Sequence, residues 1–323
     1  MKEFIHLFTL FVTVTLSACS LPQVSIATYA GDRKAAVSLT FDDGLQEHFT
    51  LVAPYLDRYG LKGTFGINGK FIGDRADSYA PRLTWDECRQ MARNGHEINN
   101  HTWSHPNLYS ADSVTIVREI AMNDSVLIAE LGEASRSVLY PFNGYNDTVL
   151  RLCEQGKVGS RRYQFALGQR DSGCTRQSLD RYLHNLIEKG EWGITMTHGI
   201  HTAWDQWEEP QILWDFFQTL SEKSDTVWTD TFAAVQAYIK ERDASRLSTH
   251  LNGNVLTIDI ACPLDARLFN QPLTLKIEGL NVADTATAMQ VSKPLPATVR
   301  NDCLLIEASP YDGPITIQFN RTK

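Results

Sequence analysis

Three short polar clusters hold the side chains of this 323-residue chain that could do chemistry. The first is Thr40-Phe41-Asp42-Asp43-Gly44, at the end of an apolar run. Adjacent carboxylates on an extended chain point to opposite sides, so one can hold a metal while the other acts as a base. Gly44 lets the backbone turn sharply there. The second cluster is His101-Thr102-Trp103-Ser104-His105. Its two imidazoles, at i and i+4, converge on one ion if the segment is helical or tightly turned. Pro106 ends any helix at that point. The third is Ile194-Thr195-Met196-Thr197-His198, a histidine closing an apolar strand. In an α/β barrel such a residue points into the active-site mouth. Each cluster alone also reads as something ordinary: a turn, a pair of surface or core histidines, a structural histidine. As one set they suit metal-assisted hydrolysis. Three protein ligands leave a position open for water. A bound ion lowers the pKa of that water from about 16 to about 7. A carboxylate then takes its proton, and a histidine protonates the leaving amine or alkoxide.

Alternating α and β elements must position these clusters. Ala36 to Phe41, Gly63 to Ile67, His96 to Asn100, Ser137 to Tyr140 and Gly193 to Thr197 read as short strands. Between them, Phe49, Val52, Leu56 and Tyr59 recur at helical spacing. Thr84-Trp85-Asp86-Glu87 is a capping box opening a helix whose face is Trp85, Cys88, Met91 and Ala92, with Gly95 as its stop. A long helix is expected from about Ala111 to Leu131 and a last one from about Asp230 to Arg242. Strands alternating with helices imply a parallel sheet or barrel. After Ser245 the apolar period becomes two, through Leu256/Ile258/Ile260, Leu273/Leu275/Ile277, Leu304/Ile306 and Ile315/Ile317/Phe319, which implies a small all-β sandwich.

With these segments in order, the chain resembles the polysaccharide deacetylases, the carbohydrate esterase family with the NodB homology domain, over about residues 34–242. Thr40-Phe41-Asp42-Asp43-Gly44 is similar to the family's first motif. His101-Thr102-Trp103-Ser104-His105, preceded by Gly95-His96-Glu97-Ile98, is similar to the second. Tyr140-Pro141-Phe142-Asn143-Gly144 resembles the third and Met196-Thr197-His198 the last. The resemblance implies a distorted (β/α) TIM-like barrel with the site at the strand C-termini. It implies Asp42 as general base, His198 as general acid, and Asp43, His101 and His105 as ligands of one divalent ion. Zinc is the default for that ligand set, and nickel or cobalt also suit it. An acetyl group, N- or O-linked to a carbohydrate, would bind at the open metal position. A donor near Pro141 to Tyr145 would help hold the developing oxyanion. Pro141, Phe142, Asn143, Tyr145 and Trp204 are the expected substrate contacts, with Trp207 a further stacking surface beside Trp204. Both tryptophans read equally as packing. Glu47 and His48 are expected on the first helix near the mouth.

The chain departs from the family in the third motif. An Arg that orients the base commonly begins it, and here Leu139 or Tyr140 stands there. Arg170 is the expected substitute, with Arg161 and Arg162 as rivals. Asp171 or Asp180 is expected to tune His198.

The fold class is therefore α/β with a C-terminal sandwich. The expected organisation is a lipoprotein signal peptide over residues 1–18, a tether over 19–33, the catalytic domain over 34–245 and the accessory sandwich over 246–323. Lys2 precedes an apolar run from Phe4 to Leu16, too short to span a membrane comfortably. It ends in Leu16-Ser17-Ala18-Cys19, which resembles the bacterial lipoprotein signal whose Cys becomes acylated. The chain is thus expected to be exported to the cell envelope and held on the membrane through Cys19. A net charge of -8 offers no electrostatic footprint for nucleic acid. Besides Cys19, five cysteines remain, and Cys153–Cys174 and Cys262–Cys303 are the sequence-local disulfide pairings in an oxidising compartment. The function expected is a metal-dependent hydrolase that removes acetyl groups from a carbohydrate. The alternative is a non-catalytic glycan-binding surface lipoprotein on the same scaffold.

Overall fold

The computed structural model describes residues 22–280 and 287–319. Chain order begins with strand β1 (Gln23–Ile26), then β2 (Ala35–Phe41), β3 (Gly63–Ile67), β4 (Glu97–Asn100), β5 (Ser137–Leu139), β6 (Gly159–Arg161), β7 (Phe165–Ala166), β8 (Trp192–Thr197) and β9 (Val227–Thr229). Helices α1 (Ala53–Arg58), α2 (Trp85–Arg93), α3 (Ser113–Leu131), α4 (Asp147–Cys153), α5 (Arg176–Lys189), α6 (Gln211–Glu222) and α7 (Phe232–Ala244) lie between or after these strands. The C-terminal part holds β10 (Arg246–Asn252), β11 (Val255–Ala261), β12 (Leu273–Glu278), β13 (Thr287–Gln290), β14 (Lys293–Leu295), β15 (Ala297–Arg300), β16 (Cys303–Ala308) and β17 (Ile315–Gln318).

Strands β2 to β8 form one parallel sheet in the order β6-β5-β4-β3-β2-β8-β7, with β9 also paired to β2. Strands β2, β3 and β5 are buried along their whole length, as parallel strands covered on both faces must be. The sheet is strongly curled. In a flat sheet β6 and β2 would lie about 19 Å apart, four strand spacings of about 4.8 Å. Instead Arg161 of β6 donates a 2.8 Å hydrogen bond to Asp42, the residue after β2. The two edge strands, β6 and β7, are consecutive in the chain, and residues 162–164 alone join them. Register places the strand ends level: Phe41 pairs with Phe65 and Thr197, Asn100 with Val138, and Leu139 with Arg161. Residues just past these ends therefore share one rim.

The expected capping box is present, with Thr84 and Glu87 capping α2 reciprocally. The helix read from Phe49 to Tyr59 starts as a π-helical turn over His48–Val52 and continues as α1. Helix α3 runs from Ser113 and ends on Gly132, which adopts a left-handed φ of 90°. Helices α4 to α6 were not anticipated. For α5 the signal was available in Leu179, Leu183 and Leu186, buried at helical spacing.

The C-terminal strands form two antiparallel sheets, β1-β12-β16-β15 and β10-β11-β17-β13-β14. Leu275, Ile277, Leu304 and Ile306 of one meet Leu256, Ile258, Ile315 and Ile317 of the other in a single apolar core. Residues 19–33 were expected to be a tether, but Gln23–Ile26 is the edge strand of the first sheet, paired antiparallel with β12. Val24 and Ile26 pack against the sandwich core, and Tyr29 is buried with Ala36, Trp228, Tyr238 and Leu273. The Tyr238 hydroxyl closes this joint by donating to the Ala27 carbonyl at 2.9 Å. The five cysteines among the described residues are all free thiols, so the expected disulfides are not formed. The expected signal peptide, residues 1–18, and Cys19 lie outside the described residues. Among the described residues, no helix is long and apolar enough to cross a membrane.

A chain beginning at Lys34 should therefore be less stable than one beginning at Leu21 by roughly 3 kcal/mol or more, because β12 loses one of its two partners and the Tyr29 contacts are removed. Urea unfolding of the two chains measures this; equal midpoints would restore the tether reading.

Candidate metal-dependent active site

The site starts where β2 stops. The Asp42 amide still donates to the Thr197 carbonyl at 3.0 Å, so the β2–β8 ladder reaches this residue. Asp43 and Gly44 then adopt left-handed φ angles of 80° and 62°. For a non-glycine residue such a conformation costs about 1–3 kcal/mol. The turn sends the two carboxylates to different partners, as their adjacency required.

Asp42 faces Arg161. Both terminal nitrogens of the guanidinium donate to its carboxylate, and Nη1 also donates to Thr40 Oγ1 at 2.6 Å. Arg161 is only 2% exposed, so this is a buried bidentate pair. Burial alone would raise the Asp42 carboxyl. The Arg161 guanidinium, with His101 and His198 nearby, overrides that and holds it below the usual carboxylate range.

Asp43 faces two histidines. Its Oδ1 lies 3.4 Å from His101 Nε2 and 3.3 Å from His105 Nε2. A tetrahedral ion with ligands at about 2.0–2.1 Å has ligand–ligand edges of about 3.3 Å, so these separations fit one ion between the three atoms. Asp43 Oδ1 is buried without a hydrogen-bond partner, an orphan that a cation would satisfy. His101 Nδ1 donates to the Leu139 carbonyl at 2.7 Å, which fixes the tautomer and leaves the Nε2 lone pair for a metal. Burial, with His101 alongside, pulls His105 down to about 4, so it is a neutral ligand at neutral pH. The two-nitrogen, one-oxygen donor set suits zinc and its neighbours.

The segment carrying both histidines is a tight turn, not a helix. Thr102 and His105 both have left-handed φ, 68° and 59°. Helix α3 holds the turn from behind. Glu119 accepts from the Ser104 amide (2.7 Å) and hydroxyl (2.9 Å), and the Trp103 amide donates to the Glu119 carbonyl. Asn123 donates to Asn100 Oδ1, which accepts the Thr102 amide at 2.8 Å. A Cβ on Gly66 would lie 3.0 Å from Leu139 Cδ1 and 3.3 Å from His101 Cβ, so a side chain there would press on the His101 segment.

His198 completes the rim. Its Nε2 is 3.9 Å from Asp43 Oδ2, and its ring meets Trp204 edge-on with centroids 5.3 Å apart. Glu47 and His48 lie where expected and fix this strand end. His48 Nδ1 accepts the Leu45 amide, so Nε2 carries the proton and donates to the His198 carbonyl at 3.0 Å. Glu47 accepts the amides of Ile200, His201 and Thr202.

These residues open into a cavity of about 760 Å³. Asp42, Asp43, His101, His105 and His198 form its floor. Tyr140, Phe142, Asn143, Trp204, Phe71 and Tyr79 are among its walls. Phe142 stands 67% exposed, with its ring against His105.

Several expectations need correction. Arg170 is not the partner of Asp42: it is exposed and its side chain meets Gln206, whereas the rival Arg161 holds Asp42. Asp171 does not meet His198; it accepts the Asp205 amide in a loop further out. Asp180 is exposed on α5. Among the described residues His198 Nδ1 has no partner. Pro141 and Tyr145 do not line the cavity: Pro141 is buried, and Tyr145 turns back to donate to the Arg162 carbonyl. Trp207 is buried in the barrel core, while Trp204 lines the cavity. Sequence reading did not flag Phe71, Tyr79 or Arg82, all on the loop between β3 and α2.

The floor brings together Asp43, His101 and His105, a cluster that could hold a metal ion, at one rim of a curled parallel sheet. Residues 30–158 match the family model described as polysaccharide deacetylase. Over 332 aligned positions the chain is 22% identical to a gellan lyase of a Bacillus species, covering 90% of this chain and 13% of that protein. It is 29% identical over 150 residues to a putative polysaccharide deacetylase of Bacillus subtilis, covering 46% of this chain and 50% of that one. It is 27% identical over 171 residues to a chitooligosaccharide deacetylase of Rhizobium leguminosarum bv. trifolii, covering 52% of this chain and 74% of that one. The chain thus spans half or less of the length of the first two relatives.

Arg161→Met should destabilise the fold by about 3–5 kcal/mol at neutral pH, because it strands a buried carboxylate. Asp42 has a depressed folded pKa, so its pairing stabilises above the unfolded carboxylate pKa and is lost as pH falls through the folded value. The Arg161→Met deficit should therefore shrink toward acid pH and largely vanish in the Arg161→Met/Asp42→Asn double variant. Urea unfolding across pH checks both; a deficit that ignores pH and Asp42 would remove the pair from the account.

Proposed function

We propose that this chain is a metal-dependent carbohydrate deacetylase, and the observation that carries the reading is the Asp43–His101–His105 triad beside an Arg-paired Asp42 and a free-standing His198. The family match and the deacetylase relatives support the same reading. A divalent ion, zinc by default, when bound at the triad would activate a water and polarise the acyl oxygen. Asp42 takes the proton of the attacking water. Its low pKa keeps it ionised through the working pH range, and Arg161 fixes its oxygens toward the floor of the cavity. His198 protonates the nitrogen or oxygen of the leaving sugar. Acetate and the deacetylated carbohydrate are the products. Phe142, Asn143 and Trp204 hold the sugar against this floor, with Trp204 offering a face for stacking.

The substrate is an N- or O-acetylated glycan. The chain is exported and anchored in the cell envelope by acylation of Cys19 after removal of residues 1–18, with residues 34–245 as the catalytic domain and 246–323 as an accessory sandwich.

Acetate release from a panel of N- and O-acetylated glycans tests the reaction. Chelated protein should be inactive, and zinc, cobalt or nickel should restore turnover. Asp42→Asn and His198→Ala should each lose about 10²–10⁴-fold in kcat. Tight glycan binding with no release under any metal would favour a binding protein. The anchor is tested separately: labelled palmitate should enter the protein expressed in bacteria and be absent from Cys19→Ala, and equal labelling of both would refute lipidation there.

A further inference from the structure

We infer that Arg82 is a positioning residue for the metal site, holding Asp43 in the backbone conformation that aims its carboxylate at His101 and His105. The inference rests on the metal reading above and assigns a role to a residue far from every motif.

At the end of β2 the Asp43 carbonyl leaves the sheet ladder, because Asp43 and Gly44 have turned into left-handed conformations. Arg82 Nη1 donates to that carbonyl at 2.6 Å. The guanidinium is itself fixed on three sides. Its Nε donates to Asp77 Oδ2 at 2.8 Å, and its carbon lies 5.3 Å from the ring centroids of both Phe71 and Tyr79. Arg82 is 6% exposed, yet it reaches the wall of the cavity.

Around this contact the loop lies along the turn like a short extra strand. Leu45 and Arg82 form an antiparallel bridge. The Leu83 amide donates to the Gly44 carbonyl at 2.8 Å, and the Gln46 amide to the Pro81 carbonyl at 2.8 Å. The Arg82 amide in turn donates to the Asp74 carbonyl at 2.9 Å. Backbone bonds therefore hold Gly44 and Gln46, but the carbonyl of the ligand residue itself is held by the Arg82 side chain. Without that charge a buried carbonyl loses its donor, and the strained turn can relax. A change in the Asp43 backbone moves Oδ1 off the shared edge with the two imidazoles. Partners behind a metal ligand typically change metal affinity by about 10–100-fold.

The test is zinc affinity of the full chain, stripped of metal and titrated in competition with a chromogenic chelator. Arg82→Met should bind zinc about 10–100-fold more weakly, and Arg82→Lys, which keeps one donor, should recover part of the loss. The visible absorption of bound cobalt should shift in Arg82→Met, a change that a loss of global stability alone does not produce. Zinc affinity of Arg82→Met within twofold of the parent overturns the inference. If Arg82→Met does not fold, Asp77→Asn decides: loosening the guanidinium should weaken zinc several-fold, and unchanged affinity overturns the inference equally. A parent chain that binds no zinc would instead overturn the metal reading itself, and this inference with it.

Discussion

Everything at the rim depends on two neighbouring carboxylates being driven apart at the end of one strand. Asp42 is still part of the β2–β8 ladder, and its side chain meets Arg161. One residue later the backbone is left-handed, and the Asp43 side chain meets two imidazoles. The first environment supplies a positive charge that keeps the Asp42 carboxylate ionised. The second supplies two imidazole nitrogens and an unsatisfied oxygen. Had both side chains shared one partner, neither the buried Asp42–Arg161 pair nor the Asp43–His101–His105 cluster would exist.

That division requires a curled sheet. Arg161 reaches Asp42 only because β6 bends round toward β2. It also requires buried polar support from the helix behind. Glu119 and Asn123 sit on the inward face of α3 among Ile116, Ile120 and Leu127, and they fix the turn that presents both histidines. Buried polar groups of this kind are tolerable only when satisfied, which is why the turn and the helix form one hydrogen-bonded unit. Left-handed non-glycine residues concentrate in the same rim: Asp43, Thr102, His105, Phe142, Asn143, Ala203 and Asp205.

Part of the floor was legible in the sequence because Asp42, Asp43 and His198 close apolar strands, and strand ends are visible as pattern. Thr40 to Gly44 and Ile194 to His198 carry that signal locally. The partner of Asp42 was not legible. Gly159-Ser160-Arg161 is a three-residue strand with no apolar alternation, and its role arises only when distant strands are brought together. Phe71, Tyr79 and Arg82 were hidden for a related reason: they sit in an irregular loop with no period to read. Glu119 and Asn123 could have been found, since polar residues four apart on the apolar stripe of a long helix are a visible exception. The strand Gln23-Val24-Ser25-Ile26 alternates correctly but is only four residues long, too short to distinguish from a linker.

That strand also sets how the molecule bears load. A pull on the chain ahead of Gln23 enters the sandwich through the four residue pairs joining β1 to β12 before it reaches β2. The β12 strand is gripped on its other side by β16, so the sandwich spreads the force across a sheet. The parallel sheet feels it through the short stretch before Ala35, at the end of β2 remote from the cavity, and through the buried joint of Tyr29, Tyr238 and Leu273. An N-terminal attachment to any surface would thus strain the sandwich before the sheet that carries Asp43, His101 and His105.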